Sequence, residues 1–301
     1  MANTPEQLTA LADDLRIKFT TQYTPGSTLA YGYAHQFQRI ILQLYGLFGH
    51  GKTSLINLCL SVVRNKPYED LAGSGWTDGL VIKERREHWL TNTVIITDNR
   101  GFIKIDDEEI TEASAQLASL RILEEGVIWN RSTEEKLDLM LAKYNTSPTD
   151  FIVPVIVHRG TTNMSEEHSN NMRKFISRAF DVTSIFPIVL IMEAGESLDK
   201  ISNTFSLLGV SHVCSLQNFS TEKPERTPET DAEIMNFLTV CINEADRGLR
   251  KRQRLGKMTE YKRQVKEQMR MELELERERV RKQMKGQKHH CSHRDEDTEN
   301  G

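Results

Sequence analysis

A glycine-rich stretch early in the chain carries the residues best suited to chemistry. Residues 46–53 fit the spacing G-x-x-x-x-G-K-[ST], the pattern of a phosphate-binding P-loop. Glycines in such a loop let the backbone curl until its N–H groups point at a phosphate chain. Lys52 supplies a cation for the β- and γ-phosphates, and the hydroxyl of Thr53 can ligate Mg²⁺. The stretch therefore predicts a nucleoside triphosphate site, without indicating which base it takes.

The flanks of this stretch supply the context that the motif needs. Residues 40–44 form an apolar run typical of a buried strand, and residues 55–63 repeat apolar side chains at helical spacing. A helix that begins at the loop adds the positive end of its dipole to the phosphate site. The alternative is a glycine turn that carries a surface lysine by chance, which the strand–loop–helix order disfavours. The predicted nucleotide contacts are Gly46, Phe48, Gly49, His50, Gly51, Lys52, Thr53 and Ser54, with Gly101 and Asn218 from later segments.

A second motif follows the next clear strand. Residues 93–97 are apolar or β-branched and lead into D-x-x-G, which begins at Asp98. After a P-loop unit, this order is typical of a switch II segment, whose aspartate holds Mg²⁺ and whose glycine N–H senses the γ-phosphate. The alternative is an ordinary Asp-Asn turn. The expected metal ligands are Thr53, Asp98 and Thr77, although Thr77 is equally well an ordinary residue of the loop at 66–79.

The residue after the motif's glycine argues for slow hydrolysis. Ras-type GTPases place a water-orienting glutamine there, whereas this chain has Phe102, which can neither position nor polarise water. Phe48 is also bulky and occupies the part of the loop that lies near the γ-phosphate. We expect an unassisted rate on the order of 10⁻⁴ to 10⁻³ per second or below. His50 either contributes a replacement group or fills a tolerant position.

Strands and helices alternate along the rest of the chain. Beyond the P-loop unit, strands are expected at 80–82, 93–97, 151–157, 186–191 and 210–216. This alternation predicts an α/β fold, a three-layer P-loop NTPase of the G-domain type with a mostly parallel sheet and helices on both faces. Pro154 favours an edge strand or a bulge, while the place of its strand in the chain favours the centre of the sheet.

A leading helix is expected over residues 4–22. Thr4 can cap it, and Leu8, Leu11, Leu15 and Phe19 form one apolar stripe. Such a stripe packs either on the main domain, which is its usual role, or on another copy of the chain. A second cap is expected at Ser165, which precedes two glutamates.

Composition disfavours several classes of protein. The 301 residues carry a net charge of −4, so no basic field argues for nucleic acid. No apolar run approaches the length of a bilayer span. The N-terminus has neither a signal-peptide pattern nor a glycine at position 2 for myristoylation. The four cysteines are scattered without metal spacing. A cytoplasmic protein without a transmembrane segment is the expectation.

The composition shifts at about residue 246. Four segments are predicted: an N-terminal helix and linker over 1–30, a GTPase-like domain over 31–245, a charged helical extension over 246–288 and a disordered tail over 289–301. Apolar residues in the extension begin a heptad that is not sustained, which makes a stable coiled coil doubtful. Either the extension is a solvated helix, or it binds another copy, a partner protein or an anionic membrane surface.

The chain resembles a known family of G domains. Residues 46–53, the motif from Asp98 to Gly101, and residues 157–167 are similar to segments of the GIMAP (immune-associated nucleotide-binding) GTPases and of related interferon-induced G-domain proteins. The resemblance covers about residues 38–245, and the charged helical tail is also GIMAP-like. It implies GTP or GDP with Mg²⁺ as ligands, self-association through the G domain, and an immune-associated role.

The chain departs from that family where the guanine base is read. A G protein usually carries N/T-K-x-D after its fifth strand, but residues 192–196 read Met-Glu-Ala-Gly-Glu and contain no lysine. Glu196 can stand in for the acid, and Asn218 occupies the place of the last base-contacting loop. The residues thus leave three functions open: a slow GTPase-like switch, a pseudo-GTPase scaffold that acts through its charged helix, and an ATP-using enzyme such as a small-molecule kinase. For the last, no catalytic base or lid is evident.

Overall fold

A computed structural model of the chain describes residues 4–29, 37–72, 86–99, 101–118, 149–162, 164–193, 197–216, 225–255 and most positions between 267 and 279. Predictions that lie outside these residues concern Thr77, the strand at 80–82, Glu196, Asn218 and the tail at 289–301. The chain divides into two compact units, residues 1–256 and residues 257–301.

The first unit is built on one sheet. Its strands are β1 (Arg39–Tyr45), β2 (Arg86–Trp89), β3 (Val94–Asp98), β4 (Asp150–Arg159), β5 (Ile188–Met192) and β6 (Val213–Leu216). The six strands lie in the order β2-β3-β1-β4-β5-β6, and all neighbours are parallel except β2 and β3. Strands of a sheet covered on both faces need continuous apolar runs, and every residue of β3 and β5 is buried. The predicted α/β fold with a mostly parallel sheet is confirmed.

Helices cover both faces of this sheet. They are α1 (Pro5–Ile17), α2 (Lys52–Val63), α3 (Asp107–Ala118), α4 (Glu166–Thr183), α5 (Leu198–Leu207) and α6 (Pro228–Leu255). Helices α2 and α6 share a buried cluster with alternate residues of the strands, Leu44 among them. The next residue, Tyr45, faces the other way and contacts Phe175 of α4 at 4.9 Å between ring centroids. As predicted, the Ser165 side chain caps α4 by accepting the N–H of His168.

Pro154 lies in a central strand. Strand β4 pairs with β1 on one side and with β5 on the other. The N–H of Gly160 donates to Met192 O at 2.7 Å, so alternate nitrogens back along β4, including that of Pro154, face β5. Pairing with β5 begins only at Val155 and Ile188. The missing N–H therefore lies just before the β5 ladder starts, where a proline costs no ladder hydrogen bond.

The N-terminal helix packs on the domain through α6. Thr4 caps it in a capping box, and the helix widens into one π turn at Lys18–Gln22. The side chains that face the domain are Leu8, Ala12, Leu15 and Phe19. Leu11 is 43% exposed, so the predicted stripe is wrong at that residue. The buried positions recur at spacings of four, three and four, which leaves Leu11 on the flank of the helix.

Helix α6 runs through the predicted boundary at residues 245 and 246. It ends at Leu255, and Leu249 is buried at 1% exposure. Residues that composition assigns to the charged extension therefore belong to the last helix of the domain. In the second unit, the described positions between 267 and 279 are helical. Within the described ranges of the whole chain, no helix has the length and apolar character needed to cross a membrane.

Candidate functional site

Two segments meet at the carboxyl edge of the sheet. The first is residues 46–51, between β1 and α2, which we call the glycine loop. The second consists of Asp98, Asn99, Gly101 and Phe102, from the end of β3 onward, which we call the acidic turn. Strands β1 and β3 are parallel neighbours in register at Gln43 and Thr97, so both segments leave the sheet at the same edge. Ligands of open α/β sheets bind at this edge.

The glycine loop adopts a backbone that requires glycine. Gly46 has a φ of +146°, and a Cβ on it would lie 2.2 Å from the carbonyl oxygen of Val157. Strand β4 therefore approaches the loop too closely for any side chain at this position. Gly51, with a φ of 84°, is the N-cap of α2. The first N–H groups of α2, those of Lys52, Thr53 and Ser54, have no intrahelical partner and suit an anion.

Lys52 is a buried cation at the start of α2. Its side chain belongs to a residue only 7% exposed, and Nζ donates to Gly46 O at 3.2 Å and to Leu47 O at 3.1 Å. Burial lowers the pKa of Lys52 to about 8, although the charge of Asp98 opposes this shift. A buried ammonium held by two neutral carbonyls is poorly compensated, so an anion at this edge would stabilise it.

Thr53 and Asp98 join the two segments. Thr53 Oγ1 donates to Asp98 Oδ2 at 2.7 Å, and Asp98 is 1% exposed. Burial raises the pKa of Asp98, while the Thr53 hydrogen bond and the Lys52 charge act in the opposite direction. Asp98 Oδ1 is buried and accepts no hydrogen bond within the described part of the chain. Such an oxygen fits a cation or a metal-bound water.

Asn99 is a member of the site that sequence reasoning missed. Its Nδ2 donates to Leu44 O at 3.0 Å, which ties the acidic turn to the end of β1. Its Oδ1 is buried without a donor among the residues that the structure describes. Two neighbouring residues thus each present one unsatisfied acceptor. The available signal was position, since a polar residue after a buried strand of a parallel sheet lies at the ligand edge.

His50 belongs to the glycine loop but is directed at β4. Its Nδ1 accepts the N–H of Arg159 at 3.2 Å, and its ring meets that of His158 edge-on at 5.2 Å between centroids. Burial, followed by the nearby charges of His158 and Lys52, lowers the pKa of His50 to about 3. The ring is therefore neutral at physiological pH. It braces the loop against β4, a role that neither of the two sequence-based interpretations included.

The two phenylalanines of the site have opposite surroundings. Phe48 is 52% exposed, whereas Phe102 is 7% exposed. The Phe102 ring stacks on Tyr45 at 6.2 Å and meets Phe175 edge-on at 6.0 Å between centroids. Phe102 therefore anchors the acidic turn in the layer between the sheet and α4. It also lacks the polar group with which a glutamine would orient water.

An ion pair lies where the base-reading motif was sought. Arg159, at the end of β4, donates Nε to Glu193 Oε2 at 2.6 Å, just after β5. Glu193 has a left-handed backbone, with a φ of 52°. Sequence reasoning did not assign either residue to a pair. The parallel register that aligns Arg159 with Met192 brings them together.

The structure thus gathers the central predicted residues at one edge: Gly46, Lys52, Thr53, Asp98 and Gly101. Its described part contains no group of three or more His, Cys, Asp or Glu side chains that could hold a metal. Mg²⁺ does not need such a group, because it is commonly held by one or two protein ligands together with phosphates. Comparison of the sequence with protein-family models and with curated proteins gave no match.

Proposed function

We propose that this protein is a guanine-nucleotide-binding, GTPase-like switch with slow intrinsic hydrolysis. The observation that carries the proposal is the hydrogen bond of 2.7 Å between Thr53 and Asp98, beside the buried ammonium of Lys52. A hydroxyl, an incompletely satisfied carboxylate and a buried cation lie next to helix N–H groups that have no intrahelical partner. Together they form the set of groups that a magnesium–nucleotide complex uses.

Each residue has a distinct role in this proposal. Thr53 and Asp98 would hold Mg²⁺, and the buried Asp98 Oδ1 is the acceptor that the ion or its water would satisfy. Bound Mg²⁺ would neutralise charge on the phosphate oxygens. The Lys52 ammonium binds the phosphate chain as a point charge, and the N–H groups at the start of α2 bind it through the helix dipole.

Slow hydrolysis follows from the side chains around this edge. Phe102 follows Gly101 and is packed into the interior, and His50 is held by the Arg159 N–H. Neither is placed to orient a water. We therefore keep the expected rate on the order of 10⁻⁴ to 10⁻³ per second or below. Activation by self-association of the G domain is part of the proposal and rests on the GIMAP resemblance.

The choice of guanine also rests on that resemblance. Of residues 192–196, where the base-reading motif is expected, the structure describes Met192 and Glu193, and the carboxylate of Glu193 binds Arg159. This pair favours the second candidate, a pseudo-GTPase scaffold with weak nucleotide binding that acts through its charged C-terminal helix. The two candidates differ in whether nucleotide affinity depends on the residues expected to bind the phosphates, Lys52 above all.

Titration calorimetry with Mg²⁺ and GTP, GDP or ATP separates these candidates. We expect micromolar binding of a guanine nucleotide and none of ATP, with binding lost in Lys52→Ala. The matched control is Lys18→Ala, which removes a lysine side chain that is 58% exposed on the π turn after α1 and should leave binding unchanged. Equal binding of GTP and ATP would contradict the guanine assignment. If none of the three nucleotides bound, the switch would be excluded and the pseudo-GTPase scaffold would be the remaining candidate.

A further inference from the structure

We infer that Phe102 is a positioning residue that makes this site prefer a nucleoside diphosphate to a triphosphate. The inference rests on the proposed function and deepens it, since it names the form of nucleotide that the described conformation accepts. It comes from the contacts between the acidic turn and the glycine loop.

The acidic turn pairs with the glycine loop like a short strand. Leu47 and Phe102 form an isolated parallel bridge. The N–H of Phe48 donates to Phe102 O at 2.8 Å, and the N–H of Phe102 donates to Gly46 O at 2.9 Å. Two backbone hydrogen bonds therefore hold residue 102 directly against the loop that is expected to surround the phosphates.

This pairing places Gly101 against the lysine. A Cβ on Gly101 would lie 2.7 Å from Lys52 Nζ and 2.8 Å from the backbone N and Cα of Phe48. Gly101 therefore lies so close to the ammonium and to the glycine loop that even a methyl group on it would have no room. The ammonium of a P-loop reaches both the β- and the γ-phosphate. The γ-phosphate is the one expected to meet the glycine of the acidic turn, so a third phosphate and Gly101 compete for one place. The bridge uses the N–H groups of Phe48 and Phe102 and none of those at the start of α2, which are expected to bind the inner phosphates.

Phe102 makes this competition costly for the triphosphate. Its ring is buried between Tyr45 and Phe175, so Gly101 cannot withdraw from Lys52 without breaking the bridge and disturbing the ring. Exposure of a large aromatic side chain is unfavourable. A ligand that requires the open conformation is weakened by the cost of opening, which here is on the order of tenfold in affinity or more.

The decisive measurement compares GDP with a non-hydrolysable GTP analogue by calorimetry in the presence of Mg²⁺. The wild-type chain should bind GDP at least about tenfold more tightly than the GTP analogue. Phe102→Gln, which removes the anchor, should bring the two affinities together mainly by tightening the analogue. The matched control is Ile103→Gln, because Ile103 is the next residue and is 66% exposed. It should keep the wild-type preference.

Hydrogen exchange tests the same inference without a variant. The amides of Phe48 and Phe102 should be protected with GDP and should exchange faster with the GTP analogue. Equal affinities in the wild type, or continued protection of both amides with the analogue bound, would overturn this inference alone. A full GDP preference in a folded Phe102→Gln variant would do the same. Failure of both nucleotides to bind would overturn the proposed function and this inference with it.

Discussion

Two buried aspartates of the first unit have opposite surroundings. Asp246 of α6 is 0% exposed and accepts four hydrogen bonds of 2.7–3.0 Å. The donors are the Tyr23 hydroxyl, the Gly26 N–H, and the N–H and hydroxyl of Thr28. Asp98 is 1% exposed and receives one hydrogen bond, from Thr53, while its Oδ1 has no donor in the described part of the chain.

The difference indicates that Asp246 stabilises the fold, whereas Asp98 is available to bind a ligand. A buried carboxylate is tolerated when its oxygens are saturated by donors, and Asp246 meets that condition by fixing the segment after α1 onto α6. Asp98 does not meet it, and its carboxylate interacts with the charge of the buried Lys52 at the ligand edge of the sheet. Incomplete satisfaction at such a position indicates a function, because a purely structural role would be served better by a second donor.

The largest expected effect is that of Asp246→Asn on stability. The amide nitrogen cannot accept a hydrogen bond, so either the Thr28 donors or the Tyr23 and Gly26 donors lose their acceptor in the interior. We expect a loss of about 3 kcal/mol in the free energy of unfolding, measured by urea denaturation. Tyr23→Phe removes one of the donors and should cost about 1 kcal/mol. A midpoint equal to the wild type would refute the structural role of Asp246.

The sequence predicted the place of Asp98 in the site but not the structural role of Asp246. Asp98 was predicted because it opens a D-x-x-G motif that directly follows a strand of apolar and β-branched residues and comes after a P-loop unit. Asp246 was placed at the start of a charged extension. Its partners lie 218 to 223 residues away, and only the packing of α1 on α6 brings them near. Local composition carries no signal for such a contact.

The same limit explains what was missed at the site. The alternation of apolar runs predicted the α/β fold with a mostly parallel sheet and the edge at which ligands bind, but neither the strand Arg86–Trp89 nor the order of the strands in the sheet. It did not predict that His50 turns towards β4 or that Arg159 binds Glu193, since both depend on the register between neighbouring strands. Nor did it predict the bridge between Leu47 and Phe102, which depends on the path of the chain after β3.

The next effect is the dependence of stability on pH through His50, whose Nδ1 can accept the Arg159 N–H only while the ring is neutral. The pKa of His50 is about 3 in the folded chain against 6.5 for a free histidine, so below pH 6.5 the unfolded state binds more protons. Stability should therefore fall as the pH drops from 6.5 towards 3, by about 1 kcal/mol per pH unit from this group. The burial of His158, which also lowers its pKa, adds a change of the same sign.

Urea denaturation at about pH 7.5 and about pH 5 measures this dependence. The matched variant is His50→Asn, whose Oδ1 can accept the Arg159 N–H in place of Nδ1 and does not titrate. It should lose less stability between the two pH values than the wild type. An equal loss in both proteins would show that His50 is not the buried neutral brace that the structure indicates.

The smallest expected effect on stability is that of Asp98→Asn, and it is the sharpest test of the comparison. The substitution is the one proposed for Asp246, at a residue that is almost equally buried. The amide oxygen can still accept the Thr53 hydroxyl, and burial of a charge is relieved, while Lys52 loses a favourable neighbour. These changes oppose one another, so the free energy of unfolding in the absence of nucleotide should stay within about 1 kcal/mol of the wild type.

Magnesium-dependent nucleotide binding by Asp98→Asn should be lost, as measured by calorimetry with and without Mg²⁺. If Asp98→Asn instead destabilised the fold as much as Asp246→Asn and left binding intact, both aspartates would be structural, because stability and not ligand binding would then explain why Asp98 is buried.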